Sequence, residues 1–177
     1  MEKQKLQKCV FLDRDGVLNR ERGDYTYLLE DFEVLPGVPE ALQQLKQQGY
    51  LLIVITNQGG IAKGLYSKQH VLDCHHKLQQ QCSSLIDAIY YAPAHPAHSQ
   101  SLSRKPDTLL LEKAIAKYHI DPSQSWFIGD QLRDMQSAEK MHIPGILISD
   151  DARAYPLTAS SLLEATEVVL GSKPQSA

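Results

Sequence analysis

The fold is decided by the stretch Val10-Phe11-Leu12-Asp13-Arg14-Asp15-Gly16-Val17-Leu18-Asn19, in which an apolar run typical of a buried strand is followed by two carboxylates and a glycine. In an extended chain Asp13 and Asp15 leave the same face of the strand, roughly 7 Å apart. With no basic side chain expected between their heads, the pair favours a bound cation. It also offers one carboxylate to attack and one to move a proton. The alternative is a solvated Asp-x-Asp-Gly turn that closes the strand.

The rest of the chain alternates short apolar runs with helical patterns. Strands are predicted at residues 8–12, 51–56, 85–92, 126–129 and 145–149. Helices are predicted from Pro36-Gly37 to Gly49, after Ser67, from Pro106-Asp107 to Tyr118, and at 131–142. This alternation predicts an α/β fold: a doubly wound, mainly parallel sheet with helices on both faces and only small cap loops. We expect one domain over residues 1–177, with a frayed tail from about 172 to 177.

Composition excludes several classes of protein. The chain has 177 residues, of which 42% are apolar and 22% charged, with a net charge of -3 that argues against a basic nucleic-acid surface. No apolar stretch approaches the roughly 20 residues needed to span a bilayer, and the N-terminus does not lead into a secretory segment. Cys9, Cys74 and Cys82 are an odd number without a C-x-x-C pair, so we expect reduced thiols in the cytoplasm.

Polar side chains follow four of the predicted strands. Asp130 comes directly after the strand at 126–129, with Asp134 one helical turn further on. Alone, Asp130 could equally be a helix cap. The carboxyl ends of parallel strands meet at one edge of the sheet, so we expect Asp130 to join Asp13 and Asp15 as a third oxygen ligand. Mg²⁺ suits such ligands, whereas zinc is disfavoured because no histidine or cysteine lies at these strand ends.

Two further segments predict phosphate chemistry at this edge. The turn Thr56-Asn57-Gln58-Gly59-Gly60 offers a hydroxyl and backbone N–H groups as an anion cradle, although an ordinary βα turn would look similar. Lys105, just before Pro106, would neutralise a phosphate if it faces the acids, whereas an isolated lysine there would be solvated. Phosphoryl transfer needs mainly positioning and charge neutralisation, which these groups supply together.

The ordered motifs DRDGVLN, ITNQGG, RKP and GDQLRD resemble those of the haloacid dehalogenase superfamily of phosphatases. The similarity runs from about Cys9 to Ser149, and it is strongest to the histidinol-phosphate and D-glycero-D-manno-heptose 1,7-bisphosphate phosphatase group. The resemblance implies a magnesium-dependent phosphomonoesterase acting on a small phosphorylated sugar or related metabolite, with the heptose bisphosphate, cleaved at its 7-phosphate, as the first expectation. It also implies an aspartyl-phosphate intermediate and a chain that acts as a monomer without nucleic-acid or membrane partners.

The resemblance assigns roles to individual residues. Asp13 would be the nucleophile, and Asp15 would protonate the leaving oxygen and then activate water. Thr56 and Lys105 would hold the phosphoryl group. Magnesium would bind Asp13, the carbonyl of Asp15, and Asp130, and Asp134 would orient Lys105 or a metal-bound water. The expected substrate contacts are Arg14, Asn57, Gln58 and Arg104, of which Arg104 would read the distal part of the substrate.

Some positions depart from the pattern of these relatives. The group carries a zinc loop of four ligands, but the matching positions here are Ala92, Ala94, Ser101 and Ser103. His95 and His98 remain in the loop, and two ligands do not complete a tetrahedral site, so we expect no zinc. The heptose enzymes have serine where this chain has Gly59 and lysine where it has Gln131. Both changes weaken the expectation of that substrate.

Two other segments stand out. His70, Cys74, His75 and His76 form a cluster that we interpret as part of a half-buried helix rather than a metal site, since no further ligand lies nearby. Glu21 to Tyr27 is predicted to be a loop over the substrate, with a plain surface turn as the alternative.

Three competing functions remain open. Within the enzymes, histidinol-phosphate phosphatase comes next, followed by polynucleotide 3′-phosphatase, which the acidic balance of the chain disfavours. Outside the enzymes, a phospho-receiver signalling domain also has acidic strand ends. In such a domain the phosphorylated aspartate follows a later strand, whereas here the acids open the chain.

Overall fold

The structure, a computed structural model, describes residues 5–171, so the expected frayed tail lies outside the described residues. It has six strands in this range: β1 Cys9–Leu12, β2 Leu51–Asn57, β3 Ala88–Ala92, β4 Trp126–Gly129, β5 Gly145–Ile148 and β6 Thr158–Ala159. They form one sheet in the order β3-β2-β1-β4-β5-β6, and every neighbouring pair is parallel. The predicted doubly wound α/β fold is thus confirmed, with a sheet that is wholly parallel within residues 5–171.

Helices cover both faces of this sheet. The described helices are α1 Val38–Gln47, α2 Lys68–Gln81, α3 Leu109–Tyr118, α4 Leu132–Lys140 and α5 Leu162–Gly171. Side chains of β1 alternate between two apolar cores, as the period of two in a strand requires. Val10 and Leu12 pack in the core under α1, α2 and α5, whereas Cys9 and Phe11 pack in the core under α3 and α4. No helix within the described range combines the length and apolar character needed to cross a bilayer.

Several predicted boundaries move by a few residues. The third strand begins at Ala88 rather than at residue 85, and the helix after Pro106 begins at Leu109. The helix predicted at 131–142 spans Leu132–Lys140. The last strand and the last helix, β6 and α5, were not predicted at all. The segment after β1 carries turns and isolated bridges, the segment after β3 carries turns, and neither carries a helix, so the described cap consists of loops.

The strand order places a crevice beside β1. The chain builds outward from β1 through β2 to β3 on one side, and it then returns to β4 on the other side. Such a reversal leaves a gap between the loops at the carboxyl ends of the two central strands, where ligands bind in open α/β sheets. Leu12 is in register with Ile128 of β4 and with Val54 of β2. Asp13, Thr56 and Asp130 therefore leave the same edge of the sheet.

Candidate active site

A cavity of about 400 Å³ opens at this edge of the sheet. Its wall includes Asp13 after β1, Thr56 at the end of β2, Arg104 in the loop after β3, and Asp130 after β4. These groups come from four separate segments of sequence, as the predicted meeting of strand ends requires. The segment after β1 packs directly against Asp130. Gly16 in this segment has a φ of 81°, and a Cβ atom there would overlap the Asp130 carboxylate. A glycine after Asp15 is therefore needed to bring β1 and β4 residues together.

Three carboxylates gather at the floor of the cavity. Asp13, Asp130 and Asp134 each offer an oxygen atom, and these atoms all lie within 4.8 Å of one another. Lys105 is the cation among them, with Nζ 2.9 Å from Asp13 Oδ1 and 2.8 Å from Asp134 Oδ1. It also donates to the carbonyl of Ile55 at 2.7 Å. When ionised, the three acids exceed this single buried cation by two negative charges.

Burial and mutual repulsion set the protonation of these groups. Burial raises the pKa of Asp13 to about 7; the charge of Lys105 opposes this rise, whereas the neighbouring acids Asp134, Asp130 and Asp15 add to it. The pKa of Asp130 is raised as well, first by burial. Burial alone would lower the pKa of Lys105, but the charges of Asp13 and Asp134 raise it, so the ammonium stays protonated. Lys105 alone therefore does not balance the negative charge of the three carboxylates when they are ionised.

This cluster fits a hard divalent cation. Its donors are all carboxylate oxygens, the ligands that Mg²⁺ takes in proteins together with water and substrate phosphate. Burial raises the pKa of Asp13 and the neighbouring negative charges add to the rise, and a bound divalent ion would offset both effects. Asp134, expected only to orient Lys105 or a water, does contact Lys105 and also belongs to the three-carboxylate cluster.

The Asp15 carboxylate lies outside the three-carboxylate cluster and is paired with Arg14, whereas the spacing of Asp13 and Asp15 led us to expect no basic partner. Its Oδ1 accepts from Arg14 Nη2 at 2.7 Å and from Asn19 Nδ2 at 2.9 Å, and its Oδ2 accepts from Gln58 Nε2 at 3.0 Å. The reason is a tight turn directly after β1, in which Leu18 N donates to Arg14 O at 2.8 Å. The alternation of an extended strand no longer applies there. The carbonyl of Asp15 stays the predicted metal ligand.

Arg14 is completely buried and does not line the cavity. Besides its contacts with Asp15, its Nη2 donates to the carbonyl of Thr26 at 2.9 Å. The guanidinium therefore links the carboxylate of Asp15 to the loop at 21–27. The buried position of Arg14 provides no contact with the cavity. The expected contact between Arg14 and substrate stays a prediction.

Asn57 and Gln58 line the cavity, but their side-chain amides form hydrogen bonds with other residues of the site. Asn57 Nδ2 donates to the carbonyl of Lys105 at 3.1 Å, and its Oδ1 accepts from Lys105 N at 3.0 Å, so this side chain fixes the lysine backbone from both sides. Gln58 Nε2 donates to Thr56 Oγ1 at 3.0 Å as well as to Asp15. Contact between these two amides and substrate remains a prediction.

Arg104 and a residue that sequence reasoning missed, Arg133, give the cavity a basic wall. Arg104 Nη1 donates to the carbonyl of Ala94 at 3.2 Å, and Gly59 leaves room for it, since a Cβ atom there would lie 3.0 Å from Nη1. Burial lowers the pKa of Arg104, and the positive charge of Arg133 lowers it further. Arg133 lies in the motif GDQLRD, on the first turn of α4, which is the signal that could have revealed it.

The loop predicted over the substrate does border the cavity, through Glu21, Gly23, Asp24, Tyr25 and Thr26. Its role in substrate binding stays a prediction.

The other loop, after β3, holds the positions that match the zinc ligands of relatives. There Ser101 Oγ and Ser103 Oγ hydrogen-bond to each other at 2.8 Å.

The histidine-rich segment is the half-buried helix that we expected. Ser67 caps α2 by accepting from the His70 backbone N–H, while the His70 ring accepts from Ser67 N at 3.1 Å. Cys74 and His75 face the core, and His76 is exposed.

Known proteins resemble the chain over most of its length. The sequence profile of the haloacid dehalogenase-like hydrolases matches residues 13–148. A D-glycero-beta-D-manno-heptose-1,7-bisphosphate 7-phosphatase of Haemophilus ducreyi is 40% identical over 142 residues, which are 75% of this chain and 78% of that protein. Its counterpart of the same name in Pasteurella multocida is 34% identical over 172 residues, 93% of this chain and 92% of its own.

A solved structure extends the similarity to three dimensions. The crystal structure of D,D-heptose 1,7-bisphosphate phosphatase from B. bronchiseptica, complexed with magnesium and phosphate, matches with a TM-score of 0.85 at 25% identity. The match covers 93% of this chain and 99% of that one. The chain therefore belongs to the haloacid dehalogenase-like hydrolase family. Within that family it is a phosphoric monoester hydrolase, as its four motifs predicted.

Proposed function

We propose that the protein is a magnesium-dependent phosphatase of a small phosphorylated sugar, and that its substrate is D-glycero-D-manno-heptose 1,7-bisphosphate, cleaved at the 7-phosphate. The observation that carries the proposal is the cluster of Asp13, Lys105, Asp130 and Asp134 at a cavity that Arg104 and Arg133 also line. The names of the relatives from Haemophilus ducreyi and Pasteurella multocida support this substrate. The three free, buried cysteines fit a reducing cytoplasm as the place of action.

The reaction runs in two displacements. Asp13 attacks phosphorus, an aspartyl–phosphorus bond forms, and the ester P–O bond breaks while Asp15 gives its proton to the leaving sugar oxygen. Water then attacks phosphorus, Asp15 takes its proton, and the aspartyl–phosphorus bond breaks to release inorganic phosphate. Thr56 donates its hydroxyl to the phosphoryl oxygens. A magnesium ion held by Asp13, Asp130 and the carbonyl of Asp15 would supply charge neutralisation for those oxygens.

Charge neutralisation is the main demand on this site. A carboxylate approaching one phosphate charge at 4 Å meets about 4 kcal/mol of repulsion at an effective dielectric of 20, and a dianion roughly doubles it. The Lys105 ammonium sits beside Asp13, and so it offsets this repulsion where the attack occurs. Because Asn57 holds the Lys105 backbone from both sides, the ammonium is fixed before the substrate arrives.

A second phosphate would suit the two arginines that line the cavity. Arg104 and Arg133 both line it, and within residues 5–171 neither forms a salt bridge with a carboxylate. Two guanidinium groups that repel each other are stabilised by an anion between them, and arginine binds phosphate through two parallel hydrogen bonds. A sugar with phosphates at both ends would thus place one beside Asp13 and the other beside the arginines.

Phosphate release in the presence of Mg²⁺ tests the proposal. The panel contains the heptose 1,7-bisphosphate, sugar monophosphates, histidinol phosphate, nucleotides and 3′-phosphorylated DNA. We expect the heptose bisphosphate to have the highest kcat/KM and to lose one phosphate. Preference for histidinol phosphate or for the DNA would replace the proposed substrate, and release from none of them would overturn the proposal.

The nucleophile has a test of its own. Asp13→Asn should reduce turnover by at least about a thousandfold, because an amide cannot form the phosphorylated intermediate. Asp73→Asn, the same change at a partly exposed position of α2, should keep full activity. Circular dichroism checks that both variants fold. Substantial turnover by folded Asp13→Asn would rule out Asp13 as the nucleophile.

A further inference from the structure

Gln58 is a buried link between three groups of the site. Its side chain is almost fully enclosed, with 2% of the residue exposed. Nε2 donates to Asp15 Oδ2 and to Thr56 Oγ1, both at 3.0 Å, and Oε1 accepts from the Tyr66 hydroxyl at 2.9 Å. One amide thus contacts both the residue that transfers the proton and the hydroxyl that faces the phosphoryl group.

The two ends of this amide are not interchangeable. Both oxygens of Asp15 accept hydrogen bonds, and only Nε2 of the amide can donate one, so Nε2 faces Asp15 and Oε1 faces the other way. In that buried position Oε1 needs a donor, since an unpaired buried acceptor costs about 1–3 kcal/mol. Tyr66 is that donor. Burial raises the pKa of Tyr66 to about 12, so its hydroxyl keeps the proton at neutral pH.

Packing from two segments holds the Tyr66 ring. It lies against Gly60, where any Cβ atom would overlap the ring. Tyr27 also stacks on it with the ring centroids 4.9 Å apart, and Tyr25 meets it edge-on at 5.6 Å. Both tyrosines belong to the loop at 21–27 that borders the cavity. The hydroxyl is therefore held in place by the turn after β2 and by this loop.

We propose that Tyr66 is a positioning residue for proton transfer: its hydroxyl fixes the Gln58 amide, and the amide holds the Asp15 carboxylate where it reaches the leaving oxygen. Tyr66 acts through Gln58 and does not touch substrate. This inference rests on the proposed phosphatase function, because it concerns the proton that Asp15 gives to the departing sugar.

Leaving-group dependence separates this role from a merely structural one. Nitrophenolate leaves without a proton, whereas a sugar alkoxide needs one. We would measure kcat/KM, which reports the step that expels the leaving group, for p-nitrophenyl phosphate and for the best sugar phosphate. In Tyr66→Phe the ring and its stacking remain but the donor is gone. The sugar phosphate should lose on the order of tenfold in kcat/KM, whereas p-nitrophenyl phosphate should lose less than about twofold.

Tyr155→Phe is the matched control. The Tyr155 hydroxyl also donates a 2.9 Å hydrogen bond, to Glu139, and its pKa is also raised to about 12, but it lies outside the cavity. This variant should leave the ratio of the two kcat/KM values unchanged. Partial unfolding of either variant lowers both values equally and does not alter the ratio. An unchanged ratio in Tyr66→Phe would overturn the proposal.

A double-mutant cycle keeps the inference testable through a second residue. Gln58→Met removes the amide but keeps a side chain of similar size, and it should shift the ratio in the same direction. Adding Tyr66→Phe to Gln58→Met should then cost little more, since the path through the amide is already cut. Additive losses would overturn the proposal, as would an unshifted ratio in Gln58→Met if Tyr66→Phe does not fold. Absence of phosphatase activity in the unaltered protein would instead refute the proposed function.

Discussion

At the scale of single residues, Asp13 and Asp15, the two acids that we propose to be catalytic, each pair with a different buried cation. Asp13 pairs with Lys105, which comes from the loop after β3, and Asp15 pairs with Arg14, its immediate neighbour. The acids and Lys105 were predictable, because strand ends of a parallel sheet converge. The pairing of Arg14 with Asp15 was not, because it depends on the turn after Leu12, in which neighbouring side chains no longer point to opposite faces.

The prediction at the residue scale concerns the effect of Arg133 on substrate binding. Arg133→Gln should raise KM for the heptose bisphosphate by about tenfold, since it removes one of two cations facing the distal phosphate, and should leave kcat nearly unchanged. A matched sugar monophosphate lacks that distal group and should show little change in KM.

Lys113→Gln removes an exposed positive charge from α3 and is the control for long-range electrostatics. Initial-rate kinetics on both substrates measure the effects. An equal rise in KM for the bisphosphate and the monophosphate upon Arg133→Gln would contradict a contact with the distal phosphate.

At the scale of elements, α2 carries two residues of the kind that bind metals, Cys74 and His75, and both are packed in the interior instead. His75 on this helix is buried and meets Tyr91 of β3 edge-on, with ring centroids 6.0 Å apart. Burial, together with the nearby charge of Arg14, lowers its pKa to about 3. The ring therefore stays neutral in the folded protein at neutral pH.

Because His75 is buried, the free energy of unfolding depends on pH. The folded-state pKa of His75 lies below the ordinary value of 6.5, so the unfolded chain binds the proton first. Its contribution is complete above about pH 6.5 and is lost as the pH falls towards about 3. Between about pH 6.5 and 4.5 the free energy of unfolding should drop by about 2 kcal/mol more in the unaltered protein than in His75→Gln. Denaturant titrations at both pH values measure this difference.

The exposed neighbour His76 supplies the control, because His76→Gln makes the same change on the same helix without the burial. It should keep the acid sensitivity of the unaltered protein. If His75→Gln keeps that sensitivity too, other groups cause the loss.

The elements that were predicted carry recognisable patterns in the sequence. The central strands carry continuous apolar runs, and α1 and α2 carry helix starts that can be recognised in the sequence. By contrast, β6 is two residues long, too short for any periodic pattern, and it forms because β5 offers an open edge. α5 did carry a signal, since Ser161 Oγ accepts from Glu164 N at 3.2 Å in a Ser-x-x-Glu start. The contacts of Gln58 with Tyr66 carried none, because they depend on how two loops pack.

At the scale of the whole molecule, the acid cluster connects the two halves of the sheet. Asp13 follows β1, Asp130 and Asp134 follow β4, and Lys105 comes from beyond β3. Burial raises the pKa of Asp13, and repulsion between the ionised acids adds to that rise. A cation that binds them therefore stabilises the folded chain as a whole and not the local loops alone.

The stabilisation by Mg²⁺ should depend on pH through Asp13. Its folded-state pKa, about 7, lies above the ordinary 3.8, so its contribution to stability is complete below about pH 3.8 and is lost as pH rises through 7. Mg²⁺ binds the ionised carboxylate in competition with the proton, and its effect has to grow over the same range. At about a hundred times its Kd it should add about 2.7 kcal/mol at pH 8, a rise in Tm of roughly 5–10 °C, and much less at pH 5.5. Thermal unfolding with and without Mg²⁺ measures both shifts. Asp13→Asn, which has no proton to displace at this position, should show a smaller pH dependence, to which Asp130 still contributes, and Asp73→Asn should keep the full dependence. Equal shifts at both pH values in the unaltered protein would show that Asp13 is not a ligand of the ion.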